Sequence, residues 1–107
     1  MTDEKLFEAF QAGDDIAFVE IDSRYRDPVG RYCAAKIQNE TDADDIVQQV
    51  FGCMIQFKDR FEPGRKLKPW IYTIADRLCR DRQTARRWAA VALASLEMEV
   101  LAEAYQR

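Results

Sequence analysis

Apolar side chains recur every three or four positions along nearly the whole 107-residue chain, which is the spacing of one face of an α-helix. No long stretch alternates apolar and polar residues as a half-buried strand does. Only four glycines and three prolines interrupt the pattern. The sequence therefore predicts an all-α fold, a small helical bundle with one core, since a chain of this length forms a single domain.

The first helices are bounded by residues that cap or stop helices. We predict a first helix over about Asp3–Gln11, stopped by Gly13. Asp14 or Asp15 caps a second helix that runs through Tyr25.

A third helix is predicted from Pro28 to about Gln38, because a proline either ends a helix or occupies its first turn. Thr41 is the predicted cap of the fourth helix, with Asp44 reaching back in a variant of the capping box. Capping also accounts for Asp42, which lies at the positive end of the helix dipole.

A turn is predicted over Phe61–Arg65, where Pro63 and Gly64 supply turn conformations. Pro69 then suits the first turn of the next helix. That helix places Trp70 on its apolar face, so Trp70 is predicted to be a core residue. A separate helical segment follows at Ala89–Ala104.

Charge is distributed unevenly along the chain. Residues 1–57 carry 5 Lys/Arg against 12 Asp/Glu, residues 58–88 carry 10 against 4, and residues 89–107 carry 1 against 3. The net charge of −3 thus conceals a basic segment in which Trp70, Tyr72 and Trp88 lie among the cations. Cations interleaved with aromatic rings are typical of surfaces that hold a phosphate backbone and stack bases.

The basic residues fall into two groups. Lys66 and Lys68 belong to the loop, and the outer face of the following helix carries four arginines, Arg77, Arg80, Arg86 and Arg87. Such a run is usually a solvated helix face, but its position beside the two lysines favours contact with DNA.

The predicted fourth helix has a polar face opposite its apolar stripe. This face carries Asp45, Gln48, Gln49 and Gln56. A polar and largely uncharged face offers hydrogen-bonding groups to a partner.

Composition argues against an enzyme. The chain contains no histidine, which removes the commonest general base and metal ligand. A carboxylate-dependent hydrolase would need a pair of opposed acids, whereas the acids here cluster at helix starts. Cys33, Cys53 and Cys79 form no CxxC pair and are predicted to be small core residues. We expect no cofactor and no metal.

No apolar run approaches the roughly 20 residues of a membrane-spanning helix. The N-terminal segment is acidic, where a signal peptide would be basic and then apolar. We therefore expect a cytoplasmic protein that makes no membrane contact of its own.

Two motifs resemble region 2 of the extracytoplasmic-function (ECF) sigma factors of bacterial RNA polymerase. They are DADDIVQQVF at residues 42–51 and RFEPGRKLKPWIYTIADRLCRD at residues 60–81. In that family an acidic helix is followed by an R-F-D-P-G-R-like loop and a helix that begins W-hydrophobic-hydrophobic. The resemblance covers about residues 18–87 and implies a sigma region 2 domain over residues 1–88, followed by a C-terminal helix over 89–107.

The resemblance implies two partners. The fourth helix would dock on the β′ clamp helices of core RNA polymerase through Asp45, Gln48 and Gln49, with Gln56 on the same face. The basic segment would hold promoter DNA, mainly the single-stranded non-template strand, and its loop would capture an unstacked base of the minus ten element. The residues implied in DNA binding are Phe61, Arg65, Lys66, Leu67, Lys68, Tyr72, Arg77, Arg80, Arg86 and Arg87.

The chain departs from the family pattern at three points. Asp76 and Arg77 replace the common Arg and Asn, and an acid there is expected to repel phosphate and alter promoter choice. Gln49 replaces a common acidic residue. The family's second domain, a helix-turn-helix, has no room after Trp88, so we expect either a region 2 domain cut from a longer protein or a single-domain member of the family.

The function expected from these features is promoter recognition and melting by a sigma factor domain that is bound to polymerase. An anti-sigma factor is an expected further partner. The alternative is a helical protein-interaction module whose basic face binds an acidic regulatory protein without recognising DNA.

Overall fold

The computed structural model describes residues 1–106. Its helices are α1 (Asp3–Gln11), α2 (Asp15–Ile37), α3 (Glu40–Gln56) and α4 (Leu67–Tyr105). One turn of 3-10 helix, Lys58–Arg60, lies between α3 and α4. Residues 1–106 contain no strand, and the all-α prediction is confirmed.

Helix α2 is the centre of the bundle, because α1, α3 and α4 all pack against it. Its buried row consists of one residue in every four: Ala17, Ile21, Tyr25, Val29 and Cys33. A spacing of four is close to the 3.6-residue period, so these side chains form one continuous apolar row along the helix.

The predicted helix boundary at Pro28 is wrong, since α2 runs through this residue without a break. Proline lacks the amide hydrogen that would bond to the carbonyl of Arg24, and an interior proline costs about 3 kcal/mol. Tyr25 and Val29 belong to the same buried row on either side of the proline. Burial of each large apolar side chain contributes roughly 1.5–3 kcal/mol, so the whole row outweighs the lost hydrogen bond.

The cap of α3 is Asn39, not Thr41 as predicted. The Asn39 side chain accepts a hydrogen bond from the backbone amide of Asp42 at 3.0 Å. Just before it, Gln38 adopts a left-handed conformation with φ of 56° and ends α2. The turn between α2 and α3 is therefore complete two residues earlier than the sequence indicated.

The predicted break before Ala89 is also wrong, because α4 is one helix of 39 residues. No glycine or proline follows Pro69, and the segment is rich in alanine, the best helix former. Every residue from 84 to 106 is exposed. Because α4 extends beyond the other helices, the structure measures 71 × 23 × 20 Å.

The predicted turn is present between α3 and α4. The amide of Arg65 donates to the carbonyl of Glu62 at 3.3 Å, and Gly64 has φ of 83°. Pro63 precedes this glycine, which is the order of residues that a type II turn favours.

Each of the three cysteines lies within a helix of the bundle. Cys33 and Cys79 are fully buried and Cys53 is partly buried. Burial raises the pKa of the Cys33 thiol to about 12, as for an inert core thiol. None of the helices within residues 1–106 combines the length and hydropathy of a membrane-spanning segment.

The buried row of α2 can be tested with two isoleucines of the same helix. Ile21 is fully buried and Ile16 is 79% exposed. We predict that Ile21→Ala lowers the free energy of unfolding by about 2–5 kcal/mol, because it leaves a cavity in the core. Ile16→Ala should change it by less than about 0.5 kcal/mol. Urea unfolding followed by circular dichroism measures both, and equal effects would contradict the central position of this row.

Candidate nucleic-acid interface

Three aromatic rings connect α1 to the loop that precedes α4. The ring of Phe7 lies 5.3 Å from the rings of both Phe61 and Trp70, measured between centroids, and Phe61 and Trp70 are 5.1 Å apart. Phe7 and Phe61 are buried, and Trp70 packs against the core while one side stays open. Phe61 thereby fixes the loop to Phe7 of α1 and to Trp70 of α4.

Two polar side chains of α1 hold both ends of the same loop. The Gln11 side-chain amide donates to the carbonyls of Lys58 and Phe61 at 2.7 and 3.0 Å. The Glu4 carboxylate accepts from the amide of Leu67 at 2.9 Å. Glu4 thus caps α4 from another helix and places negative charge at the positive end of its dipole.

A first cleft of about 530 Å³ opens beside this loop. Its lining combines cations with aromatic and apolar surface: Arg60, Phe61, Glu62, Arg65, Lys66, Pro69, Trp70 and Thr73. Arg65 is paired with Glu62 at 3.1 Å, but both side chains are largely exposed, so the pair is weak.

A second cleft of about 380 Å³ lies between α3 and α4. It shares Arg60, Trp70 and Thr73 with the first cleft and adds Phe57 and Arg77 to its lining. The guanidinium of Arg60 lies 4.6 Å from the centroid of the Phe57 ring, in a cation–π contact. The two clefts therefore adjoin, with Arg60 and Trp70 at their boundary.

The clefts bring together four of the residues that the sequence implied in DNA binding. Phe61, Arg65 and Lys66 line the first cleft, and Arg77 lines the second. Leu67 is fully buried at the start of α4 and lines neither cleft, which argues against its predicted place in the pocket.

The remaining implied residues lie elsewhere. Tyr72 is partly buried against Tyr32 of α2, with perpendicular rings whose centroids are 5.2 Å apart. Tyr72 therefore faces α2, whereas Arg77 faces α3. Lys68 and Arg87 are exposed outside both clefts.

Asp76, the unusual acid of α4, lies in a polar cluster with α2. Its carboxylate accepts from Lys36 Nζ at 2.7 Å and from the Tyr32 hydroxyl at 3.2 Å, and it lies 3.2 Å from Arg80 Nε. The hydrogen bond from Lys36 is the largest factor that lowers the pKa of Asp76, against a smaller opposing effect of desolvation. Lys36 and Arg80 thus offset the negative charge of Asp76, which was expected to repel phosphate.

Asp42 lies in the first turn of α3, at the positive end of the helix dipole as predicted, and it also has a second role. Its carboxylate is buried and reaches across to α4, where Oδ1 accepts from Arg82 Nη1 at 2.9 Å and Oδ2 contacts Arg86. A buried carboxylate needs such partners, because it has lost its water. Arg86, implied in DNA binding, is thus also part of the contact between α3 and α4.

The polar face of α3 is exposed along its length. Asp45, Gln48, Gln49 and Gln56 are all exposed on this face. Gln48 also borders a groove of about 540 Å³ between α2 and α3, to which α2 contributes Arg31. This α2 side of the surface was not predicted from the sequence.

Arg60 and Thr73 line both clefts but were not predicted as site residues. Arg60 belongs to the RFEPGR segment that was recognised, so the loop motif itself contained the signal. Thr73 is one helical turn after Pro69, but no sequence pattern separates it from other exposed helix residues. Within residues 1–106, no group of three or more Cys, Asp or Glu side chains is arranged to hold a metal ion.

Residues 21–89 match the family model described as Sigma-70 region 2. The chain therefore belongs to this family, whose members are transcription initiation factors and not enzymes. The fold, the loop and the two motifs agree with this class.

Two relatives identify the ECF group within the class. The chain is 34% identical over 74 residues to RNA polymerase sigma factor CarQ of Myxococcus xanthus, an alignment that covers 69% of this chain and 42% of CarQ. It is 33% identical over 78 residues to ECF RNA polymerase sigma factor SigW of Bacillus subtilis (strain 168), covering 73% of this chain and 42% of SigW. The chain spans about two fifths of the length of these curated relatives, and its resemblance to ECF sigma factors is confirmed.

A solved structure has the same fold. An engineered region 2 of sigmaE, determined by NMR in complex with GTAAAA, superposes with a TM-score of 0.74 at 30% sequence identity. The alignment covers 80% of this chain and 90% of that chain.

The Asp76 cluster predicts a dependence of stability on pH. Because the pKa of Asp76 is lowered in the folded state, its contribution to stability is present above the unfolded pKa and is lost as the pH falls through the folded pKa. Asp76→Asn should therefore lower the melting temperature at pH 7. It should have no effect at a pH below both the folded and the unfolded pKa of Asp76. Thermal unfolding across this range measures the difference, and Asp81→Asn, an exposed acid of the same helix, is the control. A constant difference at every pH would contradict the ion-pair role.

Proposed function

We propose that this chain is a sigma factor domain that binds core RNA polymerase and recognises the melted minus ten element of a promoter. The observation that carries the proposal is the first cleft, which combines aromatic walls with three cations in a member of the region 2 family. The solved relative with the same fold is a complex with a short DNA sequence, GTAAAA, which supports a DNA ligand for this surface.

The lining of the clefts suits an unstacked base and its flanking phosphates. Trp70 offers ring surface to a base, and the buried Phe61 ring packs against Trp70 with the two centroids 5.1 Å apart. Stacking on an aromatic side chain contributes roughly 1–3 kcal/mol per base. Lys66 and Arg60 offer charge to the phosphates. A duplex keeps its bases stacked inside, so this surface binds the open strand more tightly and thereby favours the melted promoter.

The polar face of α3 is the proposed docking surface for the β′ clamp helices of polymerase. Its side chains take no part in the core, so their hydrogen-bonding groups are available to a partner. The groove beside it extends the surface onto α2. An anti-sigma factor that covers either surface would keep the domain inactive.

DNA binding can be tested with two exposed lysines. Lys66 lines the first cleft, and Lys5 lies on α1 outside it. Lys66→Ala should weaken binding to a single strand and lower the slope of log affinity against log salt by about 0.7, because one phosphate contact is lost. Lys5→Ala should leave the slope unchanged. Fluorescence anisotropy at several salt concentrations, with and without polymerase, measures both.

Abasic oligonucleotides separate base contacts from phosphate contacts. We compare strands that each lack the base at a different position. The protein without substitutions should lose most affinity for the strand that lacks the base bound in the cleft. Arg60→Ala should weaken binding to all of these strands alike and leave this sensitivity unchanged, because Arg60 is a proposed phosphate contact. Equal affinity for duplex and single strand, or tight binding only to an acidic protein, would contradict promoter recognition and favour the interaction-module alternative.

The docking surface is tested separately. Asp45→Ala combined with Gln48→Ala should weaken binding to the β′ clamp helices and change the free energy of unfolding by less than about 0.5 kcal/mol per substitution. Asp81→Ala on α4 is the control. Unchanged affinity of the double variant for the clamp helices in a pull-down would refute this docking surface, and DNA recognition would remain to be judged by its own test.

A further inference from the structure

The last part of α4 has a surface unlike the rest of the molecule. We call residues 87–105 the free segment, because all of them are exposed and lie beyond the ion pair of Arg86 with Asp42. More than half of each large apolar side chain in the free segment is accessible: Trp88, Val91, Leu93, Leu96, Met98, Val100, Leu101 and Tyr105. Soluble proteins rarely expose so many large apolar side chains on one segment, and such a surface is typical of a protein–protein contact.

One row of the free segment continues the buried face of α4. The buried face consists of Leu67, Ile71, Ala75 and Cys79, and it is followed by Arg82 and Arg86, which both contact Asp42 of α3. Steps of three and four residues then lead to Ala89, Leu93, Leu96 and Val100. The row therefore has the spacing of a helix that packs against another helix, but no other helix within residues 1–106 reaches it.

We propose that a second copy of this chain covers the row, with the two free segments packed antiparallel about a two-fold axis. The proposed register places Leu93 opposite Leu96 of the second copy, and it therefore also places Ala89 opposite Val100 of the second copy. Each pairing occurs twice, because a two-fold interface is self-complementary. Leucine residues occupy the centre, and a small residue faces a larger one on either side, as close helix packing requires.

Charge favours the antiparallel arrangement over the parallel one. The same register places Arg86 opposite Glu103 of the second copy at each end of the row. The free segment is preceded by Arg86 and begins with Arg87, and its acids, Glu97, Glu99 and Glu103, all lie in its second half. Parallel packing would bring like charges together at both ends, which is unfavourable.

The arrangement leaves the DNA surface open. The core of each copy surrounds the first part of its α4, so the two cores lie at opposite ends of the antiparallel pair. The loop and both clefts are on these cores, away from the free segments. Self-association and the proposed DNA binding are therefore compatible, and either can fail without the other.

Two leucines with the same exposure provide a matched test. Leu96 and Leu101 are both 59% exposed, but only Leu96 belongs to the row. Sedimentation equilibrium of the full chain should show a species of twice the 12.5 kDa chain mass. Leu96→Glu should raise the dissociation constant by at least about 100-fold, because two charges enter the centre of the contact, and Leu101→Glu by less than about threefold. A chain that stays monomeric at all concentrations, or equal effects of the two variants, would overturn the proposal.

A charge reversal tests the direction of packing. Glu103→Arg places an arginine opposite Arg86 in the antiparallel pair and should raise the dissociation constant by about tenfold. In a parallel pair the same change replaces one like-charge contact by another and should have almost no effect. An unchanged dissociation constant for Glu103→Arg would therefore overturn the antiparallel register. Circular dichroism of each variant confirms that the helices are retained.

Discussion

The structure depends on the uninterrupted buried row of α2. The other three helices all pack against α2, so the row fixes where the polar face of α3 and the basic face of α4 lie. It continues through Pro28, which shows that burial of side chains on both sides of a proline can maintain a helix that local preferences would break. Ion pairs then set the position of α4 more finely. Asp42 joins it to α3, and Asp76 joins it to α2.

The candidate DNA surface depends on α1 in the same way. The loop before α4 has little regular structure, and its position comes from Phe7, Gln11 and Glu4. These residues lie outside the segment that matches the family model, which begins at residue 21. The N-terminal helix therefore contributes to the cleft by holding the loop, and its own side chains do not line the cleft.

The cations of residues 58–88 are not equivalent, although the sequence presents them as one basic segment. Arg82 and Arg86 are engaged with Asp42, and Arg80 lies against Asp76. Lys66 and Arg60 line the first cleft. Ion pairs within α4 and between α3 and α4 thus occupy part of the positive charge, and Lys66 and Arg60 in the first cleft are the cations left for the proposed DNA ligand.

The sequence by itself determined the helical class, the turn at Pro63 and Gly64, the exposed face of α3 and the family. These properties depend on the spacing of apolar residues within short stretches and on residues with strong conformational preferences, such as proline and glycine. Both can be read from neighbouring positions in the sequence. Tertiary structure decided the continuity of α2 and α4, the burial of Leu67 and the orientation of Tyr72. It also decided that Asp42 pairs with arginines 40 and 44 positions away. These outcomes depend on which distant side chains meet, and a helix gains more from burying a continuous row against its neighbours than from following the preference of any one residue.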